Sequence, residues 1–282
     1  MQVIQTISEL RDSISSYKLT GNTIGLVATM GNLHAGHLNL VEKSLSKVDR
    51  TVVSIFVNPT QFEQSSDLES YPRTMDEDLA KLEALGVDIV FAPQVQEMYP
   101  QGGLVTEVDV PKISVLHEGS SRPGHFRGVA TVVCKLFNIV AADVAIFGQK
   151  DFQQLALIKQ MVLDLDIPIE IIGAPTVRDD DGLAMSSRNG RLTVEQREIA
   201  PHLYRMLKQI EKGVLSGDRN YVEAQDNAMR QLSALGFNPD YIQVCNAHTL
   251  NAASCIDMDL VILAAAYLGD VRLIDNLQMS LE

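Results

Sequence analysis

The chain of 282 residues contains 36 acidic and 23 basic side chains, a formal net charge of −13, which argues against a nucleic-acid-binding surface because such a surface needs a basic patch. It has no apolar run of membrane-span length and its first residues lack a signal-peptide pattern, so we expect a cytoplasmic protein without membrane contact. Cys134, Cys245 and Cys255 are odd in number and far apart, which predicts reduced thiols in or near the core and neither a disulfide framework nor a cysteine metal site.

The first strong pattern is a strand, a tight loop and a helix. Residues 23–28 (TIGLVA) are apolar and predict a buried strand. Apolar residues then recur at helical spacing from Leu38 to Val48, which predicts a helix that begins near Gly36. A helix N-terminus offers unpaired N–H groups and a partial positive charge, so this loop suits a phosphate.

Two histidines stand at the predicted helix start. His34 and His37 are three residues apart, so both can lie on one side of the first turn and donate hydrogen bonds to the same anion. The alternative is that one of them caps the helix or packs in the core, but their position after a strand favours ligand binding. The sequence HAGH resembles the HIGH motif of the nucleotidyltransferase superfamily that includes class I aminoacyl-tRNA synthetases. The resemblance implies ATP bound on a doubly wound sheet, and the acidic composition favours small-molecule activation over tRNA charging.

A second apolar strand, residues 51–57, ends just before Pro59. Gln61 therefore lies beyond the carboxyl end of a strand, where doubly wound sheets bind ligands. An ordinary loop glutamine is the alternative.

The next helix is predicted to begin after Thr74, which forms a capping box with Glu77, and to end at Gly86. Its first turn is acidic. These carboxylates can stabilise the helix dipole, or Glu77 or Asp78 can help to bind Mg²⁺.

Strands at residues 87–92, 143–147 and 169–173 complete the predicted sheet. Residues 121–128 read as a loop with two arginines and a histidine, suited to an anion or to a subunit contact. The strand at 143–147 brings Lys150 to the carboxyl edge, where its charge suits a phosphate, although a surface lysine is the alternative.

Beyond Pro175, residues 177–190 are polar and flanked by glycine, which predicts a mobile loop that either binds a triphosphate or serves as a linker. A capping box at Thr193 then opens helices over residues 194–235, and strands follow at 241–244 and 260–264. The predicted fold class is α/β, a Rossmann-like doubly wound parallel sheet with a smaller C-terminal α+β domain.

Motifs in the same order along nearly the whole chain resemble the pantothenate synthetase (pantoate–β-alanine ligase) family. These are TMG at 29–31, HAGH at 34–37, IFVNPTQF at 55–62, YPR at 71–73, RPGHFRG at 122–128, GQKDFQQ at 148–154 and MSSRN at 185–189, the last also similar to the KMSKS loop of the superfamily. The resemblance implies condensation of (R)-pantoate with β-alanine to pantothenate, AMP and pyrophosphate through a pantoyl-adenylate, in vitamin B5 and coenzyme A biosynthesis. It implies ATP as substrate, Mg²⁺ as cofactor and a homodimer. Ala28 stands where the family usually has proline, which predicts some loss of loop rigidity and no loss of a chemical group.

The resemblance also implies roles for individual residues. The residues that would contact the ATP phosphates, and would therefore be catalytic, are His34, His37, Lys150, Ser186, Ser187 and Arg188. The remaining ATP-site residues would be Met30, Gly31, Asn32, Leu33, Ala35, Gly36, Gly148, Gln149, Asp151, Val177 and Met185. Gln61 and Gln154 would bind pantoate, and Glu77 and Asp78 are the candidate metal ligands. Residues 1–175 would form the ATP- and pantoate-binding catalytic domain and residues 176–282 a lid over its site.

Two other functions are compatible with these residues. A nucleotidyltransferase acting on a phosphorylated small molecule would form a stable conjugate and no amide, so AMP released in step with pyrophosphate would distinguish the ligase from it. A nucleotide sensor without turnover is the other, but a sensor has no need of Lys150 and residues 186–188 to stabilise departing pyrophosphate. For the ligase, the pantoate carboxylate is ionised near neutral pH and needs no general base, and we expect His37 to act in adenylation.

Overall fold

The structure is a computed structural model that describes residues 1–62 and 68–281. The chain divides into two units, residues 1–149 with 154–175, and residues 150–153 with 176–282. Lys150 is therefore grouped with the C-terminal part of the chain although it closely follows a strand of the N-terminal sheet. Among the described residues, no helix is both long and apolar enough to cross a membrane.

The described part of the first unit contains a parallel six-stranded sheet. Its strands are β1 (Gln2–Ile4), β2 (Ile24–Thr29), β3 (Arg50–Ile55), β4 (Ile89–Phe91), β5 (Val144–Gly148) and β6 (Glu170–Ala174), in the order β1-β4-β3-β2-β5-β6. The chain order reverses between β2 and β5, so the sheet is doubly wound and its switch point lies at the carboxyl ends of these two strands. The predicted fold class is confirmed. Strand β1 is missing from the prediction because three residues are too few for a clear alternation.

Helices follow most strands of the first unit. They are α1 (Ile7–Leu19), α2 (Ala35–Leu45), α3 (Met75–Leu85), α4 (Val95–Met98), α5 (Pro111–Ser114), α6 (Glu118–Ser121), α7 (His125–Val140) and α8 (Phe152–Asp164), with single 3₁₀ turns at Pro59–Gln61 and Gln149–Asp151. The prediction of a loop over residues 121–128 is wrong at both ends, because α6 ends at Ser121 and α7 begins at His125. Gly128 lies inside α7, where a Cβ would clash with the Thr60 carbonyl oxygen.

Apolar packing holds the carboxyl end of β2 and the start of α2. Val27 of β2, Val41 of α2 and Leu82 of α3 are fully buried in one cluster. Each such side chain contributes about 1.5–3 kcal/mol by leaving water, so the loop between β2 and α2 stands on a rigid base. Ala28 pairs with Ser54 inside the sheet. The position at which the family usually has proline is therefore a strand residue, and the predicted loss of rigidity does not fall within the loop.

The second unit is a smaller α+β structure. It contains α9 (Val194–Ile199), α10 (His202–Leu215), α11 (Tyr221–Ala234) and the strands β7 (Asn238–Asn246), β8 (Asp259–Leu268) and β9 (Val271–Ser280), which form an antiparallel sheet in the order β7-β8-β9. The capping box at Thr193 is confirmed. Strand β9 is missing from the prediction, because Asp275 and Asn276 interrupt its apolar pattern. The expectation that the thiols lie in or near the core is wrong for Cys255, which is exposed.

Candidate active site

Residues 29–37, which run from the last residue of β2 into the first turn of α2, are called the histidine loop. His34 is the N-cap of α2, and its Nδ1 accepts a hydrogen bond from the N–H of Gly36 at 3.1 Å. His37 occupies the third helical position, and its Nδ1 accepts a longer bond from the N–H of His34 at 3.4 Å. The two imidazoles thus form a reciprocal capping box, and their ring centroids are 4.1 Å apart.

This capping arrangement determines which histidine tautomer is present. A ring nitrogen that accepts a hydrogen bond has no proton, so His34 and His37 both have their proton on Nε2. Each ring is then neutral and has a single N–H donor, at the end away from the backbone. Sequence analysis treated helix capping and ligand binding as alternatives for these histidines. The structure shows that both histidines cap the helix. Ligand binding stays a prediction, and this tautomer is compatible with it because it has an N–H donor.

The N-terminus of α2 is electrostatically suited to an anion. A helix N-terminus has a partial positive charge and N–H groups that point along its axis. The first turn of α2 itself contains no acidic side chain.

Asp78 holds the histidine loop from α3. One carboxylate oxygen accepts the N–H of Asn32 and the other accepts the N–H of Leu33, both at 2.8 Å, and Asp78 is 1% exposed. The backbone at Asn32 and Gly31 is left-handed, with φ of 52° and 81°. Without the carboxylate, the partly buried N–H of Asn32 and the buried N–H of Leu33 would lose this acceptor, so Asp78 stabilises an otherwise unfavourable turn.

The contacts of Asp78 also bear on two predictions. The predicted capping box at Thr74 is wrong: its hydroxyl donates to Asp78 at 3.1 Å, and it makes no side-chain cap. Both oxygens of Asp78 accept hydrogen bonds from backbone N–H groups, which counts against a role as a metal ligand. Glu77, the other candidate metal ligand, is exposed on the same turn. In the part of the chain that the structure describes, no three His, Cys, Asp or Glu side chains form a metal-binding group.

Gln61 is held by a buried asparagine that sequence analysis missed. Asn58 is 1% exposed and donates from Nδ2 to the Oε1 of Gln61 at 3.1 Å and to the Gly128 carbonyl at 3.2 Å. Its Oδ1 accepts the hydroxyl of Tyr99 at 2.7 Å, and burial raises the pKa of that hydroxyl, which keeps it a donor. Gln61 in turn donates to the Sδ of Met30 at 3.0 Å. The fold therefore brings Gln61 to the first residue after β2.

A cavity of about 410 Å³ opens beside Gln61. It is lined by Thr60, Gln61, Phe62, Leu104, Glu107, Pro123, Gly124, His125, Arg127 and Gly128. His125 contacts the Gln61 carbonyl oxygen through Nδ1 at 2.9 Å, so the RPGHFRG motif packs directly behind the glutamine. Within the first unit, Gly148 and Gln149 lie at the end of β5, and Gln154 is half-buried on α8.

In the second unit, residues 177–188 form a hairpin, here called the serine–arginine hairpin. The N–H of Met185 donates to the Val177 carbonyl at 3.0 Å, and Arg178 and Ala184 form a β-bridge. The N–H of Arg188 donates to the hydroxyl oxygen of Ser186 at 3.2 Å, which leaves that hydroxyl hydrogen to be donated. The loop that the sequence predicts to be mobile thus has a defined hydrogen-bonded form.

Lys150 lies in the same unit and is partly buried. Its Nζ is 4.0 Å from Asp151, and its carbonyl oxygen accepts the side-chain amide of Asn276 at 2.8 Å. Asp275 makes a two-bond ion pair with Arg178, at 2.7 and 2.8 Å. Sequence analysis missed Asp275 and Asn276, although two adjacent polar residues in an apolar run were a usable sign.

Comparison with known proteins gives a consistent result. A family model described as pantoate-beta-alanine ligase matches residues 2–278. The chain is 54% identical over 283 residues to the pantothenate synthetase of Pseudomonas putida (strain GB-1), which covers 100% of this chain and 99% of the relative. It is similar to the crystal structure of pantothenate synthetase from Thermus thermophilus, with a TM-score of 0.91, 43% identity and coverage of 98% and 99% of the two chains. It is also similar to pantoate-beta-alanine ligase from Francisella tularensis complexed with beta-gamma ATP and beta-alanine, with a TM-score of 0.83, 36% identity and coverage of 98% and 97%.

Proposed function

This chain belongs to the pantoate–β-alanine ligase family and condenses pantoate with β-alanine using ATP, and we propose that it does so through a pantoyl-adenylate. In the first step a pantoate carboxylate oxygen attacks the α-phosphorus, and the bond to pyrophosphate breaks. In the second the neutral amine of β-alanine attacks the acyl carbon, and AMP departs. The F. tularensis relative, complexed with beta-gamma ATP and beta-alanine, supports the choice of substrates.

The observation on which the site proposal chiefly rests is the capping box of His34 and His37. Both rings are neutral Nε2–H donors beside a helix N-terminus, the arrangement expected for hydrogen bonds to phosphate oxygens. Donors already oriented before the substrate binds stabilise charge as it develops in the transition state. In this proposal, the backbone and side chains of residues 30–37 form one part of the ATP site.

For the other residues the proposal rests on the motif match. Gly148 and Gln149 would line the nucleotide site, and Gln61 and Gln154 would bind pantoate. In the second unit, phosphate contacts are assigned to Lys150, Ser186, Ser187 and Arg188, with Asp151, Val177 and Met185 lining the site. A catalytic domain of residues 1–175 and a second domain of residues 176–282 also stay a proposal.

Mg²⁺ belongs to the proposal as a companion of the nucleotide. When bound with ATP it would neutralise charge on the phosphate oxygens. Because Asp78 fits poorly as a ligand, we assign Mg²⁺ to triphosphate oxygens and water, and Glu77 is the remaining candidate side chain. A homodimer and a cytoplasmic location are proposed from the family resemblance; light scattering after gel filtration tests the first.

The reaction is tested by incubating the protein with ATP, Mg²⁺ and pantoate, with and without β-alanine, and following products by mass spectrometry. We expect pantoate-dependent pyrophosphate release and adenylate, and pantothenate with AMP only when β-alanine is added. A product that retains the nucleotide in the presence of β-alanine, or binding without turnover, would contradict the proposal.

The role of the histidines is tested in single-turnover adenylation. His37→Ala should slow pyrophosphate release by about 10²–10³-fold, the usual loss for one oriented donor. His37→Gln restores a capping side chain at the third helical position, but its amide N–H groups do not occupy the position of the imidazole Nε2–H, so it should stay slow; recovery of the parent rate would contradict a specific role for the imidazole donor. His248→Ala, an exposed histidine of the second unit, is the control and should match the parent.

A further inference from the structure

Asp275 and Asn276 are consecutive residues of β9 that contact two different segments of the second unit. Successive side chains of a strand point to opposite faces, and the face of Asp275 also contains the core residues Leu273 and Leu277. Both polar residues are 5% exposed. Because burying a carboxylate or an amide is costly unless it is hydrogen-bonded, their partners are informative.

Asp275 ties the serine–arginine hairpin to β9. Its carboxylate accepts both terminal nitrogens of Arg178, and the same guanidinium donates to the Gly182 carbonyl at 3.1 Å and stacks 3.5 Å from the ring centre of Tyr204. Arg178 is the second residue of the hairpin. Two parallel charge-assisted bonds fix both the position and the plane of the guanidinium, so the base of the hairpin is held in one orientation.

Asn276 ties Lys150 to the same point. Its Nδ2 donates to the Lys150 carbonyl at 2.8 Å, its N–H donates to Asp275 at 2.8 Å, and its carbonyl accepts from Arg178 at 3.3 Å. Lys150 accepts this bond through its main chain, so the bond orients the residue without engaging the ammonium group. Two segments far apart in sequence are thereby joined through one dipeptide.

We propose that Asn276 is a positioning residue, which holds Lys150 in a fixed relation to the serine–arginine hairpin so that both segments contact the same triphosphate. This inference rests on the proposed function, since it requires that Lys150 and residues 186–188 contact ATP. In this proposal Asn276 acts through Lys150 and is assigned no contact with substrate. Its effect on the reaction passes through the side chain of Lys150.

A double-mutant cycle tests this route. Asn276→Ala should lower the single-turnover rate of pantoate-dependent pyrophosphate release by about 10–100-fold, the loss expected from misplacing a group by up to about 1 Å. Lys150→Ala keeps the main-chain carbonyl and the hydrogen bond but removes the ammonium group. In the Lys150→Ala background, Asn276→Ala should lower the rate of pyrophosphate release by less than about threefold, because the effects of two residues that act through one group do not add.

Asn246 provides a matched control in the same sheet. Its Nδ2 donates to Asp257 at 2.7 Å, so Asn246→Ala also removes a hydrogen bond donated by a side-chain amide. It should leave the adenylation rate unchanged both in the parent and in the Lys150→Ala background. If Asn276→Ala does not fold, Asn276→Leu, which fills the site and removes the donor without adding a charge, should show the same loss and the same cancellation.

Three outcomes would overturn the inference. One is a parent rate in Asn276→Ala and Asn276→Leu. Another is the same fold-loss with and without the Lys150 side chain, which would mean a merely structural role. If Lys150→Ala alone keeps the parent rate, the proposed role of Lys150 fails, and the positioning inference fails with it.

Discussion

The histidine loop and the serine–arginine hairpin are held by different kinds of contact. The histidine loop is held mainly by hydrogen bonds from its own backbone N–H groups. Two of them donate to the buried carboxylate of Asp78, and two donate to ring nitrogens of His34 and His37. The hairpin has backbone hydrogen bonds between its own two arms, but its side chains are fixed to the rest of the second unit by ion pairs, one buried between Arg178 and Asp275 and two partly exposed at Arg197. Backbone anchoring makes a rigid turn, whereas ion pairs depend on salt, on pH and on how much water reaches them.

This difference suits what each segment is proposed to do. A loop at the end of a buried strand can be oriented before the substrate arrives, and preorganised donors need no rearrangement during the reaction. Ion pairs at a hairpin allow it to be held at one end while its tip adapts to a ligand. Three substitutions test whether the two segments differ in this way.

The largest effect is expected from Asp78→Ala. The N–H groups of Asn32 and Leu33 would lose a buried acceptor, so the free energy of unfolding should fall by about 2–5 kcal/mol, measured by urea denaturation followed by circular dichroism. Asp76→Ala, at an exposed position of the same turn, should change it by less than about 1 kcal/mol. Equal losses in the two variants would mean that Asp78 acts only through the helix dipole.

A smaller effect is expected from Arg178→Lys. Lysine keeps a charge near Asp275 but cannot make two parallel hydrogen bonds or stack on Tyr204, so we expect a loss of about 1–3 kcal/mol in the free energy of unfolding. Arg205→Lys, at an exposed position of α10, should change it by less than about 0.5 kcal/mol. A parent-like Arg178→Lys protein would show that the two-bond geometry is unimportant.

The smallest effect is expected from Arg197→Gln. The hydrogen bond from Arg197 holds the pKa of Asp181 below its ordinary value, so the pair stabilises the fold at neutral pH. Because the folded pKa is lowered, that contribution is present above the unfolded pKa and is lost as the pH falls below about 4. About a third of each side chain is exposed, so we expect less than about 1 kcal/mol at pH 7.

The comparison of parent and Arg197→Gln therefore has two further readouts. The difference between their unfolding free energies should shrink between pH 7 and pH 3, and it should also shrink in about 1 M salt, which screens exposed pairs. The loss in Asp78→Ala should persist in salt. A salt-independent Arg197 effect would contradict the distinction between the two segments.

The fold of the first unit is largely predictable, and particular residues show why. Strands such as β2 and β3 are continuous apolar runs, and the start of α2 follows from spacing and from a motif. Strand β9 is not predicted because Asp275 and Asn276 interrupt its apolar pattern. Their hydrogen-bond partners, Arg178 and Lys150, are far away in the sequence and come close only in the folded chain. The same applies to Asn58, which looks like an ordinary turn residue until Tyr99 and Gly128 surround it.

Sequence alone determined the fold class, the family and the residue types available to bind a triphosphate, because these depend on periodicity and on motifs that are local in the chain. The structure chose between the local alternatives for His34 and His37, which share a capping box and so have their protons on Nε2, and tertiary packing alone assigned Asp78 to the backbone of Asn32 and Leu33. Both outcomes depend on hydrogen-bond geometry, and the second joins groups more than forty residues apart. A buried donor or acceptor must find a partner wherever the fold places one, so the pairing is set by three-dimensional packing and not by the order of residues.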